Sequence, residues 1–192
     1  NEELEKIKKV LKKYGQEHLL LKYDEMNDEQ KKELLDQIKT IDFDLMQRLY
    51  EQATKPVDLE TVTIEPIEHV DKSKLTVSER EMYEKKGIEA IKYNKFACVT
   101  MAGGQGTRLG HKGPKGTFKL EVENGPKFLF QILAENLEMA NKKYDIVIPW
   151  YIMTSTENNE ETVRFFEEHE YFGYPKDSVK FFMQGNLPLL FH

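Results

Sequence analysis

Between Met101 and Glu121 the chain carries six glycines and four cations, Arg108, Lys112, Lys115 and Lys119, and no carboxylate. The run Met101-Ala-Gly-Gly-Gln-Gly-Thr-Arg-Leu-Gly110 follows directly on the apolar stretch Phe96-Ala-Cys-Val-Thr-Met101 and is closed by Gly113-Pro-Lys-Gly116. An apolar run that passes straight into a glycine-rich polar one predicts a buried strand over 96–101 ending in a loop. The rest of the chain brings the net charge to −6, so this loop reverses the local sign. Glycines let a backbone approach a ligand and line a concave anion site with N–H groups. Arg108 and Lys115 add mobile positive charge suited to polyphosphate. The physical reading is a cradle for nucleotide phosphates, set against a tight surface loop that binds nothing.

Counting excludes two other glycine motifs. A dinucleotide fingerprint needs G-x-G-x-x-G, but from Gly104 and Gly106 the third glycine position falls on Leu109. A Walker loop needs Gly-Lys-Ser/Thr five residues after a glycine, and no glycine here has that sequel.

Composition narrows the class further. With 39% hydrophobic and 32% charged residues over 192 positions, the chain supplies one substantial core, or one core with a helical appendage. No stretch approaches the roughly 18–20 apolar residues of a membrane span. The opening Asn1-Glu-Glu-Leu-Glu-Lys6 reads as helix rather than as a secretory leader. The acidic balance argues against broad nucleic-acid binding, which needs an extended basic face. Cys98 is the only cysteine, so no disulfide forms within the chain and a reducing cytoplasm is the expected location.

Three segments are expected. Residues 1–54 read as helices: Leu4, Ile7, Leu11 and Tyr14 keep helical spacing before Gly15, and Asn27-Asp-Glu-Gln30 resembles a capping box. A further helix carrying Phe43, Leu45, Met46 and Leu49 stops before Pro56. Residues 55–94 read as a connector with a short strand at Val62-Thr-Ile64, then a helix to Tyr93 capped by Ser78-Glu-Arg-Glu81. Residues 95–192 alternate: strand 96–101, loop, short strand 117–122, helix 128–143, strand 148–154, helix 158–170 and strand 179–183. Such alternation predicts an α/β fold with a mainly parallel sheet and helices on both faces. Ligands of such sheets bind at the carboxyl ends of the strands, where this loop lies.

The loop, with Pro-Lys-Gly at its fixed spacing, resembles that of the eukaryotic-type UDP-sugar pyrophosphorylases. The UDP-N-acetylglucosamine branch, which usually reads Leu where this chain has Met101, is the most similar. His18-Leu-Leu20, Glu29 to Phe43, Trp150-Tyr-Ile-Met-Thr-Ser155 and Phe182-Met-Gln184 followed by Leu187-Pro188 resemble the family in the same order. The resemblance implies a Rossmann-like nucleotidyltransferase sheet and uridylyl transfer from UTP to a sugar 1-phosphate, N-acetylglucosamine 1-phosphate being favoured, with Mg²⁺ as cofactor. It also implies roles by position. Met101, Ala102, Gly103 and Gly104 would hold the uridine and α-phosphate. Gly106, Thr107 and Arg108 would wrap the departing pyrophosphate. Lys115 would neutralise charge at the α-phosphate, and Gln184 would pair with uracil. Arg108 and Lys115 are thus the expected catalytic residues. His111 and Lys112 read as solvent-facing turn residues. Glu157, Glu160 and Glu161 read as helix-opening carboxylates rather than metal ligands. The family continues past the segment matching Leu187-Pro188 with a metal-binding aspartate, a second cation and the sugar site. Those parts, and the Mg²⁺ ligands, are therefore expected beyond His192, and the 192-residue piece alone is expected to be inactive. A non-catalytic nucleotide-binding or scaffold relative is the alternative, and the oligomeric state is open.

Overall fold

The computed structural model describes residues 2–56 and 63–188. Within them the chain forms two compact units, one taking in the residues up to Pro66 together with Asn186 onward, the other Ile67–Gly185.

The first unit is helical. Helix α1 (Glu2–Tyr14) turns its Ile7 and Leu11 towards Leu35 and Ile38 of α2 (Asp28–Lys39), and these four buried side chains form its core. Gly15 ends α1 at φ +65°, a left-handed conformation that a side chain would strain. Asn27 and Gln30 form the reciprocal capping box: the Asn27 side chain accepts from the Gln30 N–H at 2.9 Å and the Asn27 N–H donates back at 3.1 Å. Helix α3 (Phe43–Thr54) is capped by Asp42 and ends before Pro56, as its sequence predicts. Val62 of the expected short strand lies outside the described residues, and Thr63 and Ile64 take no strand.

The second unit opens with α4 (Val77–Lys92). Its cap is Thr76 paired with Glu79, two residues before the expected Ser78–Glu81 box. Both tetrads satisfy the Ser/Thr-x-x-Glu pattern, and the earlier one places Val77 as the first helical residue. Strands β1 (Cys98–Met101), β4 (Trp150–Thr154) and β5 (Val179–Met183) form a parallel sheet in the order β1-β4-β5. A two-residue antiparallel pair, β2 (Lys119–Leu120) with β3 (Lys127–Phe128), replaces the single strand expected over 117–122. Helix α5 (Leu129–Tyr144) follows β3, and α6 (Asn159–Glu168) lies between β4 and β5. Sheet and surrounding helices thus agree with the α/β expectation.

Period-two alternation decides where the core sits. Trp150 and Ile152 of β4 and Val179 of β5 point to one face, where Phe130 and Ala134 of α5 and Phe166 of α6 cover them. The aromatic rings meet edge-on or tilted, Trp150 to Phe166 at 5.5 Å and Phe130 to Phe166 at 4.8 Å between centroids. The Trp150 indole N–H donates to Thr100 Oγ1 at 2.8 Å, tying β4 to β1 beneath the loop. Tyr174 donates its hydroxyl to the Ile148 carbonyl, and burial of the phenol raises its pKa above the ordinary tyrosine value. Val99 and Met101 point to the opposite face and are exposed, while Cys98 and Thr100 on the core side are half-buried. The expectation of a buried strand over 96–101 is therefore met only in part: Cys98 and Thr100 are half-buried, and Phe96 and Ala97 lie before the strand.

Three successive non-glycine residues, Glu170, Tyr171 and Phe172, take φ values of 49°, 54° and 55°. Tyr171 and Phe172 belong to the aromatic core, which holds the turn in place. Glu170 is exposed. A left-handed L-residue costs about 1–2 kcal/mol that glycine largely avoids. Glu170→Gly is expected to raise stability by about 0.5–1 kcal/mol after the added chain entropy of glycine. A higher midpoint in urea unfolding checks this; a lower one would show that the Glu170 side chain supports the turn.

Candidate functional site

Three strands end together. Register pairs Met101 with Met153, and Thr154 with Met183, so the carboxyl ends of β1, β4 and β5 share one edge. Two further backbone bonds extend that edge past the strands, Ala102 N–H to Met153 O at 2.7 Å and Gln184 N–H to Thr154 O at 2.8 Å. Ala102 and Gln184, some eighty residues apart in sequence, are therefore held one on each side of β4.

From Ala102 the glycine-rich segment folds back on itself. Lys115 N–H donates to Gly104 O at 3.1 Å and Gly106 N–H to Gly113 O at 2.9 Å, with Gln105 opposite Pro114. Thr107–Leu109 forms a 3-10 turn at the tip, closed by Gly110 at φ +67°. This small hairpin explains the spacing between the two halves of the motif: it brings Lys115 beside Gly104. Pro114 is fully buried and anchors the returning arm. Gly106 is also buried, and a Cβ there would lie 2.8 Å from the His111 Cβ, so the hairpin closes only around a hydrogen.

The amide groups of Gly103, Gly104 and Gln105 donate to no group among the described residues, although neighbouring amides along the hairpin are bonded. Three successive free donors form the kind of concavity that suits an oxyanion. Lys115 and Arg108 are exposed and have no ion pair among the described residues. The Gln184 side chain lies over Gly103: a Cβ on that glycine would sit 3.2 Å from its Cδ, Nε2 and Oε1. Of the expected site residues, the fold thus joins Met101 to Gly104, Lys115 and Gln184. Thr107 and Arg108 stand apart in the 3-10 turn, and the Gly106 N–H is already taken within the loop.

The structure corrects one expectation and adds residues that local sequence gives no sign of. His111 is half-buried rather than solvent-facing: its Nε2 lies 2.7 Å from Thr117 Oγ1 and its ring meets Phe118 edge-on. The Thr117 hydroxyl donates to Pro114 O at 2.8 Å, so it accepts from His111, which makes Nε2 the protonated ring nitrogen. Lys112 is exposed, as expected. Glu161 reaches in from α6, its Oε1 2.8 Å from where a Gly113 Cβ would stand. The loop is free of acid in sequence, yet α6 brings it a carboxylate. Asn158 is fully buried; its Nδ2 donates to Ala102 O at 3.0 Å and its Oδ1 accepts from Ser155 N–H at 2.9 Å. Among the described residues, no group of three or more His, Cys, Asp or Glu side chains could hold a metal ion. No helix among them is long and apolar enough to cross a membrane.

Comparison with known proteins shows the family. The profile of the family described as UTP–glucose-1-phosphate uridylyltransferase matches residues 42–192. UDP-N-acetylglucosamine diphosphorylase 2 of Arabidopsis thaliana is 37% identical over 94% of the chain, and the chain spans 38% of that relative's length. The crystal structure of the uridine diphosphate N-acetylglucosamine pyrophosphorylase from Trypanosoma brucei, in complex with an inhibitor, superposes with a TM-score of 0.62 at 27% identity. It covers 96% of this chain, which spans 38% of that structure. A putative UDP-N-acetylglucosamine pyrophosphorylase from Entamoeba histolytica is 37% identical over 67% of the chain, at a TM-score of 0.56 and 33% of the length of its own chain.

Proposed function

Because the chain belongs to the UTP–glucose-1-phosphate uridylyltransferase family, we propose that its loop binds UTP. The complete protein then transfers the uridylyl group to a sugar 1-phosphate with release of pyrophosphate. N-acetylglucosamine 1-phosphate is the favoured acceptor, in keeping with the names of the relatives. The observation that carries this reading is the row of free N–H groups at Gly103, Gly104 and Gln105, flanked by Lys115 and covered by the Gln184 amide.

A phosphate oxygen of the sugar 1-phosphate forms a bond to the α-phosphorus of UTP while the bond to the bridging oxygen of the β-phosphate breaks. The attacking oxygen is already ionised, so no general base is required. What opposes reaction is the approach of one polyanion to another, and the remedy is preorganised positive charge and N–H dipoles. The free amides take the α-phosphate, Lys115 neutralises charge as the two phosphates meet, and Thr107 and Arg108 receive the departing pyrophosphate. Gln184 offers one donor and one acceptor to the edge of uracil. Mg²⁺, when bound with the triphosphate, would supply further neutralisation. Among the described residues no group of three or more His, Cys, Asp or Glu side chains could hold it. The reaction is assigned to the cytoplasm, supported by the single cysteine.

The test is release of pyrophosphate by the complete gene product, across nucleoside triphosphates and sugar 1-phosphates. Release with UTP and N-acetylglucosamine 1-phosphate is the expected result, and no release with UTP and any sugar 1-phosphate would sink the assignment. Base recognition has its own check. Gln184→Ala is expected to reduce the preference for UTP over CTP about tenfold, the effect of losing one or two hydrogen bonds. An unchanged preference would remove Gln184 from the base site.

A further inference from the structure

Asn158 carries no charge and belongs to no motif, yet its side chain reaches the carbonyls at the base of the loop. It directly precedes α6, where an asparagine ordinarily turns its side-chain oxygen onto the free N–H groups of the first helical turn. Here it makes no such cap. Its carboxamide is turned away, fully buried, with Nδ2 donating to Ala102 O at 3.0 Å and lying 3.5 Å from Gly104 O, and Oδ1 accepting from Ser155 N–H at 2.9 Å. The two carbonyls it faces belong to the same stretch that holds the free amides.

The planar trans peptide supplies the consequence. Within each unit the C=O and the following N–H point in opposite directions. Holding Ala102 O towards Asn158 turns the Gly103 N–H the other way; Gly104 O, held by the Lys115 N–H at 3.1 Å with Asn158 as a second, longer donor, likewise turns the Gln105 N–H away. Gly103 and Gln105 are two of the three residues whose amides have no partner among the described residues. The geometry points to Asn158 as the positioning residue of the nucleotide loop, a buried clamp that aims its backbone donors at the phosphates. This inference rests on the nucleotide reading above for its ligand and on the carbonyl contacts alone for the clamp.

The test uses the complete gene product with Asn158→Ala and Asn158→Asp, and has two separate arms. Without nucleotide, amide hydrogen exchange is followed at Gly106 and Lys115, whose N–H groups are bonded across the hairpin. Both variants are expected to speed that exchange. With UTP as the probe, Asn158→Ala is expected to weaken binding about tenfold. At pH 8, Asn158→Asp is expected to weaken it roughly a hundredfold, because a carboxylate then faces two carbonyl oxygens and repels the phosphates. As the pH falls towards 5, that carboxyl gains a proton it can donate to a carbonyl. The deficit relative to the wild type should then narrow. Glu161 of α6 and His111 of the loop stand beside the same stretch in wild type and variant alike, so the deficit is read as a ratio to the wild type at each pH. Should Asn158→Ala unfold, Asn158→Asp read at the two pH values decides. Exchange at wild-type rates, or a UTP deficit in Asn158→Asp that does not change with pH, would overturn the clamp. Failure of the wild type to bind UTP overturns the nucleotide reading instead, and appears in the binding arm alone.

Discussion

Lys115→Ala is expected to lower the rate of UDP-sugar formation by the complete protein ~10²–10³-fold, or roughly 3–4 kcal/mol of transition-state stabilisation. UTP binding should weaken far less. The asymmetry follows from when the charge acts. In the ground state the triphosphate is already surrounded by loop amides and water, and one more ammonium adds little. As a second phosphate approaches the α-phosphorus, repulsion peaks where the Lys115 side chain is available, for its own N–H is tied to Gly104 O and it has no acidic partner among the described residues. Lys115→Arg should restore only part of the rate, because a planar fork does not reproduce a compact ammonium between Pro114 and Gly116. Lys112→Ala is the control: it removes the same charge from an exposed position on the same loop and should change little. Steady-state rates and UTP titrations of the three variants check the pattern. Equal and small effects at Lys115 and Lys112 would mean that the loop provides only diffuse positive charge.

Gly116→Ala is expected to cause the largest loss of stability, about 3 kcal/mol, which corresponds to a fall of roughly 6–12 °C in Tm for a chain of this size. A Cβ at Gly116 would stand 2.1 Å from Cε2 and Cζ of Phe130. Carbon atoms in contact need about 3.5–4 Å, so ring or backbone must move by more than 1 Å. The ring has little room. Phe130 is 1% exposed and packs against Phe166 at 4.8 Å between centroids. Backbone movement instead breaks the Lys115 N–H bond to Gly104 O and shifts the loop amides, so the variant should lose UTP affinity along with stability. Shortening the partner separates the two causes. Phe130→Leu destabilises by itself, but combined with Gly116→Ala the total should fall well short of the sum. Thermal unfolding of the single and double variants is the measurement, and an unshifted Tm for Gly116→Ala would refute the close packing of the loop on the core.

Local sequence determined much of this protein. The change from an apolar strand to a glycine-rich cationic loop, the Asn27–Gln30 box, the left-handed Gly15 and the alternation that yields parallel strands each depend on residues within a few positions of one another. Backbone conformation and amphipathic period are set at that range. The Thr76 cap and the β2–β3 pair differ from expectation because two equivalent tetrads competed and because short strands carry few alternating positions. Tertiary structure decided the rest of the site. The order β1-β4-β5 carries Gln184 to Gly103 across some eighty residues and brings Asn158 and Glu161 of the β4–α6 corner against the loop. None of these contacts leaves a periodic trace, because each is made by a single side chain whose partner is backbone fixed by another strand. The same reason hid Gly116: in sequence it is one loop glycine among six, and only the buried ring of Phe130 shows which of them has no space for a methyl group.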